Sequence, residues 1–145
     1  MNGEVRLRLL GAERRIIGGA FNAFAPPAIG VCLEAQSRLA NLADVLIEVP
    51  DFTAPTQAQL RDGLVATLRL MRDAPDLPVY VGCAAGLGRT GTFMAALARM
   101  AGIDDAVEWV RAQYDRRAVE TAEQAAAVAA LDVAAVWAAY AAEPD

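Results

Sequence analysis

Residues 79–91 read VYVGCAAGLGRTG: β-forming residues run into a glycine-rich turn, and an alanine-rich helical pattern follows. A strand that ends in such a turn and restarts as a helix is one unit of an α/β layer. Three patterns overlap in the turn. Gly86, Gly88 and Gly91 match the dinucleotide spacing GxGxxG, and residues 83–90 lie two substitutions from the nucleotide loop GxxxxGK[ST]. The third pattern is Cys83-x5-Arg89-Thr90, with a nucleophile and a cation at opposite ends of an anion cradle.

Composition weighs against the first two. The nucleotide loop needs a lysine to reach the β and γ phosphates, and all 13 basic residues here are arginine. A dinucleotide site places its glycines after the first strand and an acid at the end of a second one, whereas residues 105–111 read as helix. The chain has no histidine, which removes histidine-based triads and metal sites, and two cysteines, Cys32 and Cys83, are too few for a zinc cluster. No metal or other cofactor is expected. A formal charge of −5 argues against nucleic acid as a partner. The first 15 residues, MNGEVRLRLLGAERR, are interrupted by charge and read as neither signal peptide nor membrane span, so a cytoplasmic protein with no membrane partner is expected.

The 145 residues, 56% hydrophobic, suit a single domain over residues 1–145. Residues 5–10 and 16–17 read as edge strands, 28–33 and 45–49 as further strands, and 34–43 as a helix. Thr56 with Gln59 forms a capping box for a helix carrying Leu60, Leu64, Leu68 and Met71, which ends near residues 73–75. A buried helix over 91–100 follows the strand at 79–81, and Asp104 caps another over 106–114. Thr121 with Gln124 opens one last helix carrying Val128, Leu131 and Trp137. Strands alternating with helices predict a three-layer α/β fold, with a mainly parallel central sheet flanked by helices.

The cysteine–arginine pattern has a physical logic at each position. Successive amides of Ala84, Ala85, Gly86, Leu87, Gly88 and Arg89 can bend inward as an anion nest, with glycines allowing the unusual backbone angles. The following helix adds its positive N-terminal dipole, and Arg89 offers a planar fork to two oxygens. The same field favours a thiolate at Cys83.

VGCAAGLGRTG resembles the phosphate loop of the cysteine-dependent protein tyrosine and dual-specificity phosphatases, Cys-x2-Gly-x-Gly-Arg-Thr-Gly. Residues 49–55, VPDFTAP, resemble that family's general-acid loop, and residues 118–124, AVETAEQ, its water-positioning segment. The resemblance, dense over residues 28–128, implies a phosphatase-like fold. It also implies metal-independent hydrolysis of phosphotyrosine, and by extension phosphoserine or phosphothreonine, on a protein or peptide through a cysteinyl-phosphate intermediate. Cys83 would be the nucleophile and Asp51 the general acid. Arg89 and the amides of 84–89 would hold phosphate, Thr90 would bond the sulfur, and Gln124 would place water. A non-protein phosphomonoesterase and a phosphate-binding module without turnover stand as alternatives. The family carries histidine just before the cysteine; this chain has Gly82 there. The segment over residues 18–31 is short, which implies a shallow, open site. Glu120 is a candidate partner for Arg89, Arg116 and Arg117 are candidates for the substrate rim, and Cys32 is read as core.

Overall fold

A computed structural model describes residues 3–142. Strands β1 (Gly3–Leu9), β2 (Ala12–Ala20), β3 (Ile29–Cys32), β4 (Val45–Leu46) and β5 (Val79–Cys83) form one sheet in the order β1-β2-β5-β3-β4. The β1–β2 pair is antiparallel, joined at Leu10 (φ 55°) and Gly11 (φ 78°), two consecutive left-handed residues of the kind a tight hairpin turn requires. The β2–β5, β5–β3 and β3–β4 pairs are parallel. The mainly parallel sheet expected from the sequence is therefore present, with one difference. β2 is not an edge: it lies between β1 and β5, and Ile16 on it is fully buried.

The helices are α1 (Gln57–Asp73), α2 (Gly88–Met100), α3 (Ala106–Gln113), α4 (Ala122–Ala129) and α5 (Val133–Ala141). Both expected capping boxes form, with the Thr56 and Thr121 hydroxyls accepting from the Gln59 and Gln124 amides. Val5, Leu7, Ile16, Val31, Val79 and Val81 join Leu60, Leu64, Phe93, Val110, Val128 and Val136 in the main core, so the five helices pack on one sheet face. Alternate residues of the same strands face the other way, where Phe21, Phe24 and Cys32 form a smaller cluster with Tyr80 against it. That flank carries 3-10 turns, Phe21–Ala23 and Ala40–Leu42, rather than an α-helix.

The helix expected over 34–43 is therefore absent. Consecutive i→i+3 bonds replace it: Ser37 N–H to Glu34 O, Ala40 N–H to Ser37 O, and Ala43 N–H to Ala40 O. Local competition explains this, since the Ser37 hydroxyl donates to Asn22 Oδ1 and accepts from Leu39 N–H, and the Glu34 carboxylate is drawn to Arg89. β4 stops at Leu46 rather than 49 because the next carbonyls are used elsewhere: Glu48 O accepts from Gln59 and Val49 O from Arg89. The helix expected after Thr121 is two helices. Arg99 takes the Val128, Ala129 and Leu131 carbonyls at the break, and the Asp132 side chain caps the restart by accepting from Ala135 N–H. In the third helix Asp105 rather than Asp104 holds the N-cap position, without a side-chain capping bond.

Candidate active site

The loop between β5 and α2 lies at the carboxyl end of the parallel strands, between their tips and the helices. Helix α2 begins at Gly88, three residues before the expected Gly91, so the cradle leads directly into its first turn. Close packing explains two of the glycines. A Cβ at Gly91 would lie 2.7 Å from Ala118 Cβ and 2.9 Å from Val119 N, and one at Gly88 would collide with the Glu120 carboxylate. Gly86 needs its freedom for conformation, with φ at 78°.

Two donors meet at the Cys83 sulfur: the Gly86 N–H at 3.2 Å and the Thr90 hydroxyl at 3.1 Å. With the N-terminus of α2 beside them, they favour negative charge at the loop centre. Arg89 is 1% exposed, and its hydrogen bonds are all made from one nitrogen. Its Nη1 donates to Leu33 O (3.0 Å) and Val49 O (2.7 Å) and pairs with Glu34 Oε1 at 2.9 Å. Nε and Nη2, the opposite edge of the guanidinium, have no hydrogen-bond partner among the described residues. Asp51 Oδ1, 3.4 Å from Nη2, provides an ion-pair contact without an aligned hydrogen bond. A buried fork with two free parallel donors is a complement to two oxygens of a tetrahedral anion.

Asp51 stands half exposed on the loop after β4. Phe52 beside it has φ at 62°, held by Thr53 N–H and the Thr53 hydroxyl, which both donate to Pro50 O, while Phe52 N–H donates to Asp51 Oδ1 at 2.9 Å. The conformation is costly for a bulky residue, and it leaves the Phe52 ring 60% exposed. Gln124 is fully buried; its Nε2 donates to Thr53 O at 3.1 Å, and its Oε1 accepts from the Glu120 and Thr121 N–H groups. It therefore reaches the site through the acid-bearing loop.

The structure brings Cys83, Arg89, Thr90 and Asp51 together, with Ala84 and Ala85 exposed at the rim of the cradle. Of the two readings open for Glu120, partner of Arg89 or solvated side chain, the structure has the second: Glu120 is exposed beside Gly88, and Glu34 pairs with Arg89. Glu34 is a residue the motif comparison missed; its only sequence signal is its place just after a buried strand. A second is Tyr114, whose hydroxyl donates to Gly86 O at 2.5 Å. Both rim candidates, Arg116 and Arg117, line a groove of about 580 Å³ with Phe52, Leu87 and Val119, and Arg117 is also paired with Asp115. Cys32 is core as expected, its thiol donating to Glu34 O and its pKa pushed up by burial. Gly82 is explained by the other flank, where a Cβ would meet the Phe21 backbone N and Cα at 2.8 Å.

No group of three or more histidine, cysteine or acidic side chains suited to a metal ion occurs among the described residues, and no single helix there is long and apolar enough to cross a membrane. Among solved structures, the chain is similar to Tk-PTP in its active form, at 28% identity and a TM-score of 0.56 over 70% of this chain and 75% of that one. Kinase associated phosphatase shares the fold at 13% identity and a TM-score of 0.60, covering 88% and 92% of the two chains. PTPMT1, solved in complex with PI(5)P, does so at 22% and 0.57, covering 79% and 81%. An uncharacterised Methanocaldococcus jannaschii protein, MJ0215, is 35% identical over 84 residues, 58% of this chain, and the match spans about half (52%) of that relative's length. The family model described as "Polymorphic toxin system, DSP-PTPase phosphatase" matches residues 30–102. That span is half of the chain and holds the acid-bearing loop, the cradle and the Cys83-x5-Arg89-Thr90 sequence: the chain belongs to this DSP-PTPase phosphatase family, a small member of the cysteine-dependent tyrosine phosphatase superfamily.

Proposed function

We propose that the chain hydrolyses phosphate monoesters of protein side chains, tyrosine foremost, through a cysteinyl-phosphate intermediate. The observation that carries this reading is the buried, unpartnered Nε/Nη2 edge of Arg89 beside a sulfur that already receives two hydrogen bonds. Two phosphate oxygens meet that edge and the loop amides hold the third. Cys83 Sγ forms the S–P bond as the P–O bond to the leaving group breaks, and Asp51 protonates the departing oxygen. In the second step water attacks phosphorus, Asp51 accepts its proton, and the S–P electron pair returns to sulfur, where the Thr90 hydroxyl donates. For Gln124 to order that water, its Nε2 exchanges the Thr53 carbonyl for the water oxygen.

Two features support tyrosine. The exposed Phe52 ring beside Asp51 offers an aromatic wall to a phenyl ester, and the open groove past Leu87 has room for a peptide. The five residues between Cys83 and Arg89 are Ala-Ala-Gly-Leu-Gly, with no cation for a second ring phosphate, so a phosphoinositide is the less supported substrate.

The test is turnover of a phosphotyrosine peptide and its phosphothreonine counterpart, with excess chelator present, by the wild-type chain and Cys83→Ser. The expected result is chelator-resistant hydrolysis, faster on phosphotyrosine and abolished by Cys83→Ser, with vanadate binding retained in the variant. Activity in Cys83→Ser above a few per cent of wild type, a rough floor for residual catalysis, would sink the thiolate mechanism.

A further inference from the structure

The Tyr114 hydroxyl bonds Gly86 O, and nothing in the chemistry above uses that contact. Tyr114 ends α3 as its C-cap, and its ring lies across the open end of the β1–β2 hairpin, away from the turn. A Cβ at Gly18 would stand 2.6 Å from the ring Cζ and the hydroxyl, and one at Gly3 3.7 Å from Cδ1. Both glycines are on the helix-covered face, so a flat, side-chain-free trough seats the ring.

The bond matters because of the peptide it holds. A trans peptide is planar, with its C=O and N–H on opposite sides. Fixing Gly86 O toward Tyr114 turns the Leu87 N–H the other way, into the cradle. The preceding N–H, that of Gly86, already donates to Cys83 Sγ at 3.2 Å. Gly86 itself has φ at 78°, a conformation in which glycine has many alternatives, so the peptide after it is the part of the loop most able to flip.

The other possible brace is absent. The position before the cysteine is Gly82, closed to any side chain by the Phe21 backbone. Nothing can therefore reach the loop from there.

We propose that Tyr114 is a positioning residue for phosphoryl transfer, its hydroxyl locking the Gly86–Leu87 peptide so that the Leu87 N–H points at the transferring phosphate. This rests on the phosphatase reading above. An amide held in place in advance contributes most where negative charge grows, on the equatorial oxygens of the transition state. The effect therefore falls on kcat more than on KM.

Tyr114→Phe removes the hydroxyl and keeps the ring in its glycine trough. Three quantities are measured on both proteins: kcat and KM for p-nitrophenyl phosphate, the affinities of vanadate and inorganic phosphate by calorimetry, and the thermal midpoint. A displaced donor should cost less than the ~10²–10³-fold of an oxyanion donor removed outright. On that scale, kcat and vanadate affinity are each expected to fall on the order of 10-fold. KM and phosphate affinity should change much less, and the midpoint should stay within about 5 °C. Vanadate affinity equal to wild type overturns the proposal, as does a loss of affinity that only follows the fraction of unfolded protein. If the wild-type chain turns over no phosphomonoester, the phosphatase reading fails, and the vanadate comparison still decides whether Tyr114 orders the loop.

Discussion

Among the side chains at the site, Asp51 has the role least fixed by its contacts, since half exposure and one ion pair to Arg89 would also suit a loop residue that only stiffens the turn. A general acid matters in proportion to how poor the leaving group is: an acidic phenolate departs unaided, while tyrosinate needs a proton in the transition state. Asp51→Asn is expected to lower kcat on phosphotyrosine by roughly 10²–10⁴-fold and to spare an ester of a strongly acidic phenol. Equal losses on both esters would remove Asp51 from the role. Glu48, which lines the same small pocket with Arg89, then becomes the residue to examine, because Glu34 in that pocket is committed to Arg89 at 2.9 Å and Asp44 to Gly30 N–H at 2.8 Å. What could be read in the sequence at this scale follows chain continuity. Cys83, Arg89 and Thr90 lie within eight residues, and one motif carries them. Glu34 and Tyr114 reach the loop from 55 and 28 residues away by partners that no local pattern encodes.

Elements with their own start signals were legible, and those shaped by a distant cation were not. The capping boxes at Thr56 and Thr121 marked α1 and α4 to the residue. The break between α4 and α5, and the early end of β4, are the work of Arg99 and Arg89 drawing carbonyls from elsewhere in the chain. Arg14 also gathers carbonyls at the end of α1, those of Leu9, Met71 and Pro75, but that end falls at Asp73, where the sequence placed it. A guanidinium fork suits this use, with several donors in one plane. The end of β5 is set by a close approach of another kind, the Phe21 backbone over Gly82. Gly82 cannot yield cheaply in the central strand, and Phe21 follows directly on its neighbour β2. Gly82→Ala is expected to cost about 1–3 kcal/mol by overpacking, seen as a lower midpoint of thermal unfolding. Gly82→His is expected to cost more and to bring no gain in kcat. A histidine variant as stable as the wild type would show that Phe21 moves aside and that the glycine has some other reason.

For the molecule as a whole, surface carboxylates and buried neutral groups differ in how they meet pH. Glu4, Asp73 and Asp115 have pKa values lowered by hydrogen bonds from Arg15, Arg72 and Arg117. A lowered carboxylate stabilises above its unfolded pKa and loses that contribution as pH falls through the folded value. All three pairs lie at the surface, where water screens them, so the acid limb is shallow. For two groups packed beneath the 3-10 turns the shifts run the other way, because burial pushes up both the Cys32 thiol and the Tyr80 phenol, the latter donating to Ala20 O at 2.7 Å. For these, stability is fully present below the unfolded pKa and is lost as pH rises toward the folded one. The window opens near the ordinary thiol value of about 8.5 and widens near the tyrosine value of about 10. Thermal midpoints followed from pH 5 to 11 should therefore hold nearly level to the start of that window and then fall. Measured in a Cys83→Ser background, so that one thiol remains, Cys32→Ala should lower the plateau through lost packing against Phe21 and Phe24 and delay the fall to the tyrosine range. An alkaline fall that begins at the same pH with and without the Cys32 thiol would show that the flank's stability does not depend on keeping that group protonated.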